Sequence, residues 1–477
     1  MPEGFDVVVG LEVHCELSTA TKLFCGCPNA FGDEPNTNVC PVCLGLPGSL
    51  PVLNRRAVEL AMRIGTALCC EIRPSVFHRK NYFYPDMPKD YQISQYDEPV
   101  NVNGRLELPD GSSVRIERAH IEEDTGKTLH VGETGRIHGA SHSLVDYNRA
   151  GVPLVEIVSA PDITSAEKAR SYVSELRAIL VATGASDGRM EEGSLRVDAN
   201  VSVKRAGTSE LGTRCEVKNL NSLRSLGRAI EYEADRQACL LEEGERVRQE
   251  TRHWDEEAGV THCLRSKEEA YDYRYFPEPD LVPLVPEDLL LSAARAEMPL
   301  LPAARRARLA ELVEAAGRVP AEQVATVIEL GLDDLVLEAA AAGAEPALAL
   351  ARAANEAAAK GEAARRLPPR SFAALLKLEA AGSLSATPSK TVRGVLIDEG
   401  GEPGEIARRL GFEALGSEAL AALLDGVISA NPAEWERYLE GDDKVAGFIT
   451  GQIMRESKGR ADGKQVAQLL ASRRATP

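Results

Sequence analysis

The sequence predicts an α+β body that gives way to helices. Short alternating apolar–polar runs, broken by Gly, Pro and Asn turns, fill the chain up to about residue 290. Beyond that point strands nearly vanish, and Ala, Leu, Glu and Arg dominate. A length of 477 residues also exceeds one ordinary domain and calls for two or three.

Taken in order, "FDVVVGLEVHCEL", "SLRVDANVSVK" and "RCEVKNL" read as strands of an antiparallel sheet, with helices interposed at Arg55–Cys69, Ser165–Thr183 and Ser222–Glu243. The alanine-rich run "LEAAAAGAEPALALARAANEAAAK" reads as helices of a small bundle, since alanine has the best intrinsic helix propensity. From Gly404 onward, "GEPGEIARRLG", "SEALAALLDGVISANPAEWERYLEGD" and "KVAGFITGQIMRESKG" read as short helices stopped at Gly and Asn-Pro. The expected plan is a body over 1–293, a helical connector over 294–403 and a helical tail over 404–477.

No run approaches the roughly 20 apolar residues of a membrane span, and the first residues lack a signal-peptide pattern. The reading is a cytoplasmic chain with no membrane partner. A net charge of −18 argues against bulk electrostatic binding to nucleic acid, but leaves room for a local basic face.

In a reducing compartment, closely spaced cysteines bind metal more often than they pair. Cys25 and Cys27, then Cys40 and Cys43, form a C-x-C…C-x-x-C set on turns supplied by Gly26, Pro28, Pro35 and Pro41. Four thiolates suit tetrahedral zinc and fill its coordination sphere, so the site reads as a structural knuckle and not as the seat of chemistry. An iron–sulfur cluster and an unmetallated set of thiols are the other readings. Cys15, Cys69, Cys70, Cys215, Cys239 and Cys263 are scattered and are expected to pack as small hydrophobes.

Carboxylates interrupt strands that are otherwise apolar. Period-two alternation sends Glu12 and His14 to one face, with Leu11 and Val13 on the other. Glu156 shares its face with Leu154 and Val158. A carboxylate there is costly unless it is paired, reaches solvent at a strand end or holds a metal. The pattern recurs in "HIEEDTGK" with Glu122, Glu123 and Asp124, on the even face of "SLRVDANVSVK" with Arg196, Asp198 and Asn200, and in "RCEVKNLNS" with Arg214, Glu216 and Lys218. Such oxygen ligands suit Mg²⁺, and the cations beside them suit phosphate. The chain has no P-loop, no Rossmann glycine motif, no G-x-S-x-G elbow and no H-E-x-x-H. A metal-dependent phosphoryl-transfer or nucleotide site outside the P-loop class is expected. Arg79, Lys80, Asn81, Tyr82, Tyr84, Lys89, Tyr91 and Gln95 crowd one aromatic segment. It reads either as a loop closing the core or as a surface for a nucleotide or RNA end.

The stretches "VGLEVHCEL", "FGDEPNTNVCPVCLGLPGSLPVLN", "RKNYFYPDMPKDYQISQYD", "EEDTGKTLH", "VDYNRAGVPLVEIVSAPD", "EEGSLRVDANVSV", "EVKNLNS" and "YRYFPEPDLVPL" resemble, in order, the aspartyl/glutamyl-tRNA(Asn/Gln) amidotransferase B subunits, and the tail resembles the YqeY-like RNA-binding module. The resemblance implies an ATP-dependent carbon–nitrogen ligase working as a heterotrimer. A partner amidase, the A subunit, frees ammonia from glutamine, and a small C subunit clasps the other two. The B subunit phosphorylates the side-chain carboxylate carried on misacylated Glu-tRNA(Gln) or Asp-tRNA(Asn), and ammonia displaces phosphate. It also implies a cradle resembling the glutamine synthetase catalytic sheet.

Carried over by position, His14, Glu123 and Glu156 resemble ligands of one Mg²⁺, and Glu12, Asp198 and Glu216 those of a second. Lys80 and Arg149 become candidates for phosphate or acceptor-end contacts. Lys444, Arg455, Lys458 and Arg460, with Lys464, Arg473 and Arg474, become a tRNA-binding face, against the plainer reading of a solvated helix surface. With all four knuckle cysteines present, zinc is expected. The competing readings of the chain are a non-catalytic tRNA-binding scaffold and a stand-alone ATP-dependent ligase resembling glutamine synthetase, against which the long helical tail tells.

Overall fold

The computed structural model describes residues 4–132, 140–266, 273–314, 320–412, 417–442, 444–457, 461 and 463–475. The chain divides into two compact units, 1–303 and 304–477.

Among the described residues of the first unit there are fourteen strands. They are β1 (Phe5–Glu16), β2 (Glu71–Ile72), β3 (Phe77–Asn81), β4 (Tyr91–Gln95), β5 (Asn101–Glu107), β6 (Ser113–Glu123), β7 (Lys127–Val131), β8 (His142–Asp146), β9 (Pro153–Ser159), β10 (Leu195–Arg205), β11 (Cys215–Leu220), β12 (Glu250–Asp255), β13 (Val260–Ser266) and β14 (Phe276–Pro277). Twelve form one sheet in the order β13-β12-β11-β10-β1-β9-β6-β4-β3-β14, with β5 beside β6 and β2 beside β5; β7 and β8 pair alone. The sheet departs from the expected antiparallel plan once, because β11 and β12 run parallel. The 20-residue helix Leu223–Glu242 lies between them and lets the chain return in the same direction.

Three of the helices fall where alternation gives way to helical spacing: α1 (Arg55–Ala67), α2 (Ala166–Ala182) and α3 (Leu223–Glu242). The residue before each is an N-cap. Asn54 Oδ1 accepts from the Arg56 amide at 2.9 Å, and Ser165 and Ser222 Oγ accept from Lys168 and Ser225 at 3.0 Å each. Ile64 of α1, Leu176 of α2 and Ile230 of α3 share a core with Val9, Leu11, Val13, Ala199, Val201 and Ile157 from the sheet. One sheet face is thereby buried, and Glu12 and His14 lie on the other face of β1, half-buried.

Two expectations need correction. The aromatic segment is a hairpin of β3 and β4 joined by a loop over 82–90, not a loop throughout, and most of its polar residues serve the fold. Arg79 grips the buried Glu278 through both carboxylate oxygens at 2.7 and 2.8 Å, Asn81 donates to the Tyr273 carbonyl at 2.8 Å, and Gln95 Oε1 accepts from the Ile121 amide at 2.9 Å. Among the scattered cysteines Cys15 and Cys215 are buried, but Cys69, Cys239 and Cys263 are exposed.

The second unit is helical and holds two hydrophobic clusters. One gathers Leu309, Val327, Val336, Leu350, Phe372, Leu376, Leu396 and Ile406; the other gathers Leu424, Val427, Tyr438, Ile449, Ile453 and Leu470. The alanine-rich run is broken more than expected: helix Pro346–Arg352 passes into a π-type turn, Ala353–Ala357, and then a tighter 3₁₀ segment, Ala358–Arg366. No described helix is long and apolar enough to cross a membrane.

Candidate active site and cysteine cluster

The open sheet face is built by register. His14 of β1 stands opposite Glu156 of β9 on one side and Arg196 of β10 on the other, while Glu12 stands opposite Asp198. Residues in register share a face of the sheet, so these three strands deliver their polar side chains to one surface.

Two clusters result. In the first, His14 Nε2 lies 3.7 Å from Glu122 Oε1 and 3.6 Å from Glu156 Oε2. In the second, Glu12, Asp198 and Glu216 bring one carboxylate oxygen each within 4.8 Å of one another. Asn200 donates to Glu12 at 2.9 Å, Thr251 donates to Glu216 at 2.8 Å, and Lys218 Nζ reaches Asp198 at 2.6 Å and Glu216 at 3.0 Å.

Glu123, expected in the first cluster, is not there; Glu122 takes its place. Alternation along β6 sends Ile121 and Glu123 to the helix-covered side and His120 and Glu122 to the open side. Ser94 of β4, in register with Glu122, donates to its Oε2 at 3.3 Å. Glu123 pairs instead with Lys89 and accepts from the Ile93 amide at 2.8 Å. "HIEEDTGK" puts two acids side by side, and only the strand register chooses between them.

The charges are mutually adjusted. Burial, with Glu156 and Glu216 nearby, raises the Glu12 carboxyl above the ordinary carboxylate range. Burial would raise Glu122 too, but His120, His14 and Lys80 outweigh it and hold this group well below. Lys80 alternates with His78, the register partner of Ser94, and so lies on the open face; burial opposes its charge, yet Glu122, two tyrosines and Glu156 keep its ammonium above the usual lysine value. Lys218 behaves alike against Asp198 and Glu216. Arg149 is committed to the turn after β6: Nε lies 3.3 Å from Asp124 and donates to the Thr125 carbonyl at 3.0 Å, and Nη2 donates to the Gly126 carbonyl at 3.0 Å. Arg196 donates to the same Asp124 at 2.7 Å.

Sequence reasoning passed over His120, Ser94 and Thr251. His120 and Ser94 share the even-numbered alternation of Glu122 and Lys80, a signal legible in principle; Thr251 joins through the parallel pairing of β11 and β12, which nothing local announces.

The four knuckle thiols lie within 4.8 Å of one another and none is in a disulfide. The Cys40 amide donates to Cys43 Sγ at 3.1 Å. A hydrogen bond from Cys25 holds the Cys43 thiol down at about 5, and the same bond pushes Cys25 up. Tetrahedral zinc with bonds near 2.3 Å sets sulfur atoms roughly 3.8 Å apart, and the Cys40–Cys43 separation is 3.9 Å. An all-thiol, preassembled set of this size fits zinc.

In the second unit, Lys444 and Arg455 are exposed on the helix Lys444–Glu456. Eleven residues is three helical turns, which places them on nearly one side. Lys458 and Arg460 lie outside the described residues.

The comparisons agree with this layout. A family model described as the GatB/GatE catalytic domain matches residues 7–292, and one described as the GatB domain matches residues 334–473. Relatives named as the B subunit of aspartyl/glutamyl-tRNA(Asn/Gln) amidotransferase include those of Frankia casuarinae, 51% identical over 98% of this chain and 95% of its own length, and Mycobacterium avium, 50% identical over 98% and 95%. The protein of that name from Anaeromyxobacter dehalogenans is 49% identical over 98% of both chains. With matches of this depth along nearly its whole length, the chain belongs to the family of aspartyl/glutamyl-tRNA(Asn/Gln) amidotransferase B subunits.

Proposed function

We propose that this chain is the carboxylate-activating component of a tRNA-dependent amidotransferase. The side-chain carboxylate of Glu-tRNA(Gln) or Asp-tRNA(Asn) attacks the γ-phosphorus of ATP and ADP leaves. Ammonia then attacks the acyl carbon, phosphate departs, and the amide of Gln-tRNA(Gln) or Asn-tRNA(Asn) remains. Ammonia comes from glutamine in the partner amidase (the A subunit), a small C subunit completes the heterotrimer, and the complex works in the cytoplasm.

The observation that carries this reading is the pair of three-ligand clusters on one open sheet face, each with a lysine beside it. Their carboxylate donors suit Mg²⁺. His14, Glu122 and Glu156 would hold one ion and Glu12, Asp198 and Glu216 the other, and bound Mg²⁺ would offset charge on the transferring phosphoryl group. The chain's own contribution is positioning and charge. Lys80 offers an ammonium to phosphate oxygens, Asn200 orients Glu12, and Lys218 holds Asp198 and Glu216 together. No protein nucleophile is needed, since the substrate carboxylate is itself the nucleophile. A sheet lined with acids is also what a cradle built like the glutamine synthetase catalytic sheet would present. The knuckle thiolates would hold zinc as a closed structural site, and Lys444 and Arg455 offer tRNA a local basic face on an acidic chain.

The test is nucleotide release by the purified heterotrimer, with and without Glu-tRNA(Gln) or Asp-tRNA(Asn), and with Glu12→Gln alongside. ADP formation that requires misacylated tRNA and disappears in the variant is expected. AMP as product replaces phosphorylation with adenylation. Full turnover in Glu12→Gln leaves the acids a structural role and favours the scaffold reading.

A further inference from the structure

We infer that His120, which belongs to neither cluster, is a positioning residue that sets the carboxylates of Glu122 and Glu156 for cation binding; this rests on the metal-site reading just given. His120 stands on β6 opposite Glu156 of β9 and two residues before Glu122, so all three share the open face. It is buried, with 4% of its surface exposed. Its Nε2 lies 3.4 Å from Glu156 Oε2 and 3.6 Å from Glu122 Oε2. Its Nδ1 is buried with no hydrogen-bond partner among the described residues.

These partners assign the imidazole proton. On Nε2 it faces two carboxylates; on Nδ1 alone it would be buried and unsatisfied. The consequence for Glu122 is directional. Its Oε2 accepts from the Ser94 hydroxyl at 3.3 Å and faces His120 Nε2 at 3.6 Å, while Oε1 is turned toward His14 at 3.7 Å. Glu156 Oε2 lies between the two histidines, at 3.6 Å from His14 and 3.4 Å from His120. Without His120 the two acids would repel across the gap between β6 and β9, with only His14 between them. Outer groups that fix metal-binding side chains in this way typically contribute about 10- to 100-fold in metal affinity.

The experiment is Mn²⁺ binding to the complete amidotransferase, followed by the electron paramagnetic resonance signal of free Mn²⁺. His120→Asn presents its amide near the Nδ1 position, whereas His120→Gln presents it near Nε2. We expect His120→Asn to weaken one Mn²⁺ site about tenfold or more, and His120→Gln to stay within about threefold of the unaltered complex. The site of Glu12, Asp198 and Glu216 should be unchanged in both, and so should zinc content. Near-normal Mn²⁺ affinity in His120→Asn overturns the inference. So does equal weakening in both variants, since only packing would then be lost. If the unaltered complex binds no Mn²⁺ at this face, the metal reading itself fails, an outcome distinct from a normal first site in His120→Asn.

Discussion

Lys89 and Glu123 form a buried ion pair at the inner end of β6, with 7% and 2% of their side chains exposed. The Lys89 ammonium also lies 5.3 Å from the Tyr91 ring and 5.9 Å from the Phe24 ring, and Cys25 and Cys43 of the knuckle line the same small cavity. The chain around the pair is close-fitting. Gly45, just past Cys43, has a φ of +65°, and a Cβ there would sit 2.5 Å from Lys89 Cγ. The pair thus joins the knuckle to the residue next to Glu122.

Removing one partner leaves a buried charge uncompensated. Lys89→Met should destabilise the first unit by about 3–5 kcal/mol. Adding Glu123→Leu should restore a good part of that, because the stranded charge is gone. Urea denaturation of the two variants checks this; a Lys89→Met protein as stable as the unaltered one would sink it.

Glu122 and Glu123 should separate cleanly in function. Glu122→Gln is expected to lower tRNA-dependent ADP formation roughly 100-fold, the scale of losing one preorganised charge-stabilising group. Glu123→Gln keeps its acceptor for the Ile93 amide and should lower melting temperature more than turnover. Steady-state rates and melting curves together decide it, and the reverse pattern would return Glu123 to the ligand set.

Glu16 follows His14 on the same face of β1. Burial, reinforced by Asp124, pushes its carboxyl from an ordinary 4.5 up to about 7, against the pull of Arg196 and Arg149. An acid raised on folding favours the native state below its unfolded value, and that contribution is lost as pH rises through the folded value. Over the window from 4.5 to about 7 the loss is on the order of 3 kcal/mol at most. Glu16→Gln should therefore match the unaltered protein near the acid end of this window and melt higher above it. Melting temperature against pH tests this, and two parallel curves would rule it out.

The knuckle should be structural. Chelation of zinc, or Cys43→Ser, is expected to remove the metal and lower the melting temperature of the first unit, since metal bound only by the folded chain adds to its stability. Zinc content by mass spectrometry and melting curves provide the check. A melting temperature indifferent to complete zinc loss would contradict the structural role.

Much of this was legible locally. Helices α1, α2 and α3 announce themselves by spacing and by Asn54, Ser165 and Ser222 as caps, and the four cysteines by their spacing alone. Alternation also placed Glu12, His14, Glu156, Asp198 and Glu216 on a polar face, because a strand's period of two is a property of the backbone. What alternation within one strand cannot supply is the partner strand. The choice of Glu122 over Glu123 came from the register of β6 against β4 and β9, and His120 gained its role only by standing opposite Glu156. The parallel pairing of β11 with β12 brought Thr251 to Glu216 across a whole helix. Arg79 and Lys89 stand in a segment that the sequence leaves open between a core-closing and a ligand-binding role, and Arg149 reads as a candidate phosphate contact, yet each is committed to a carboxylate that folding carries to it. Residue type and period determined which groups could do chemistry; long-range register, which the chain settles only when its strands pair, decided which of them meet.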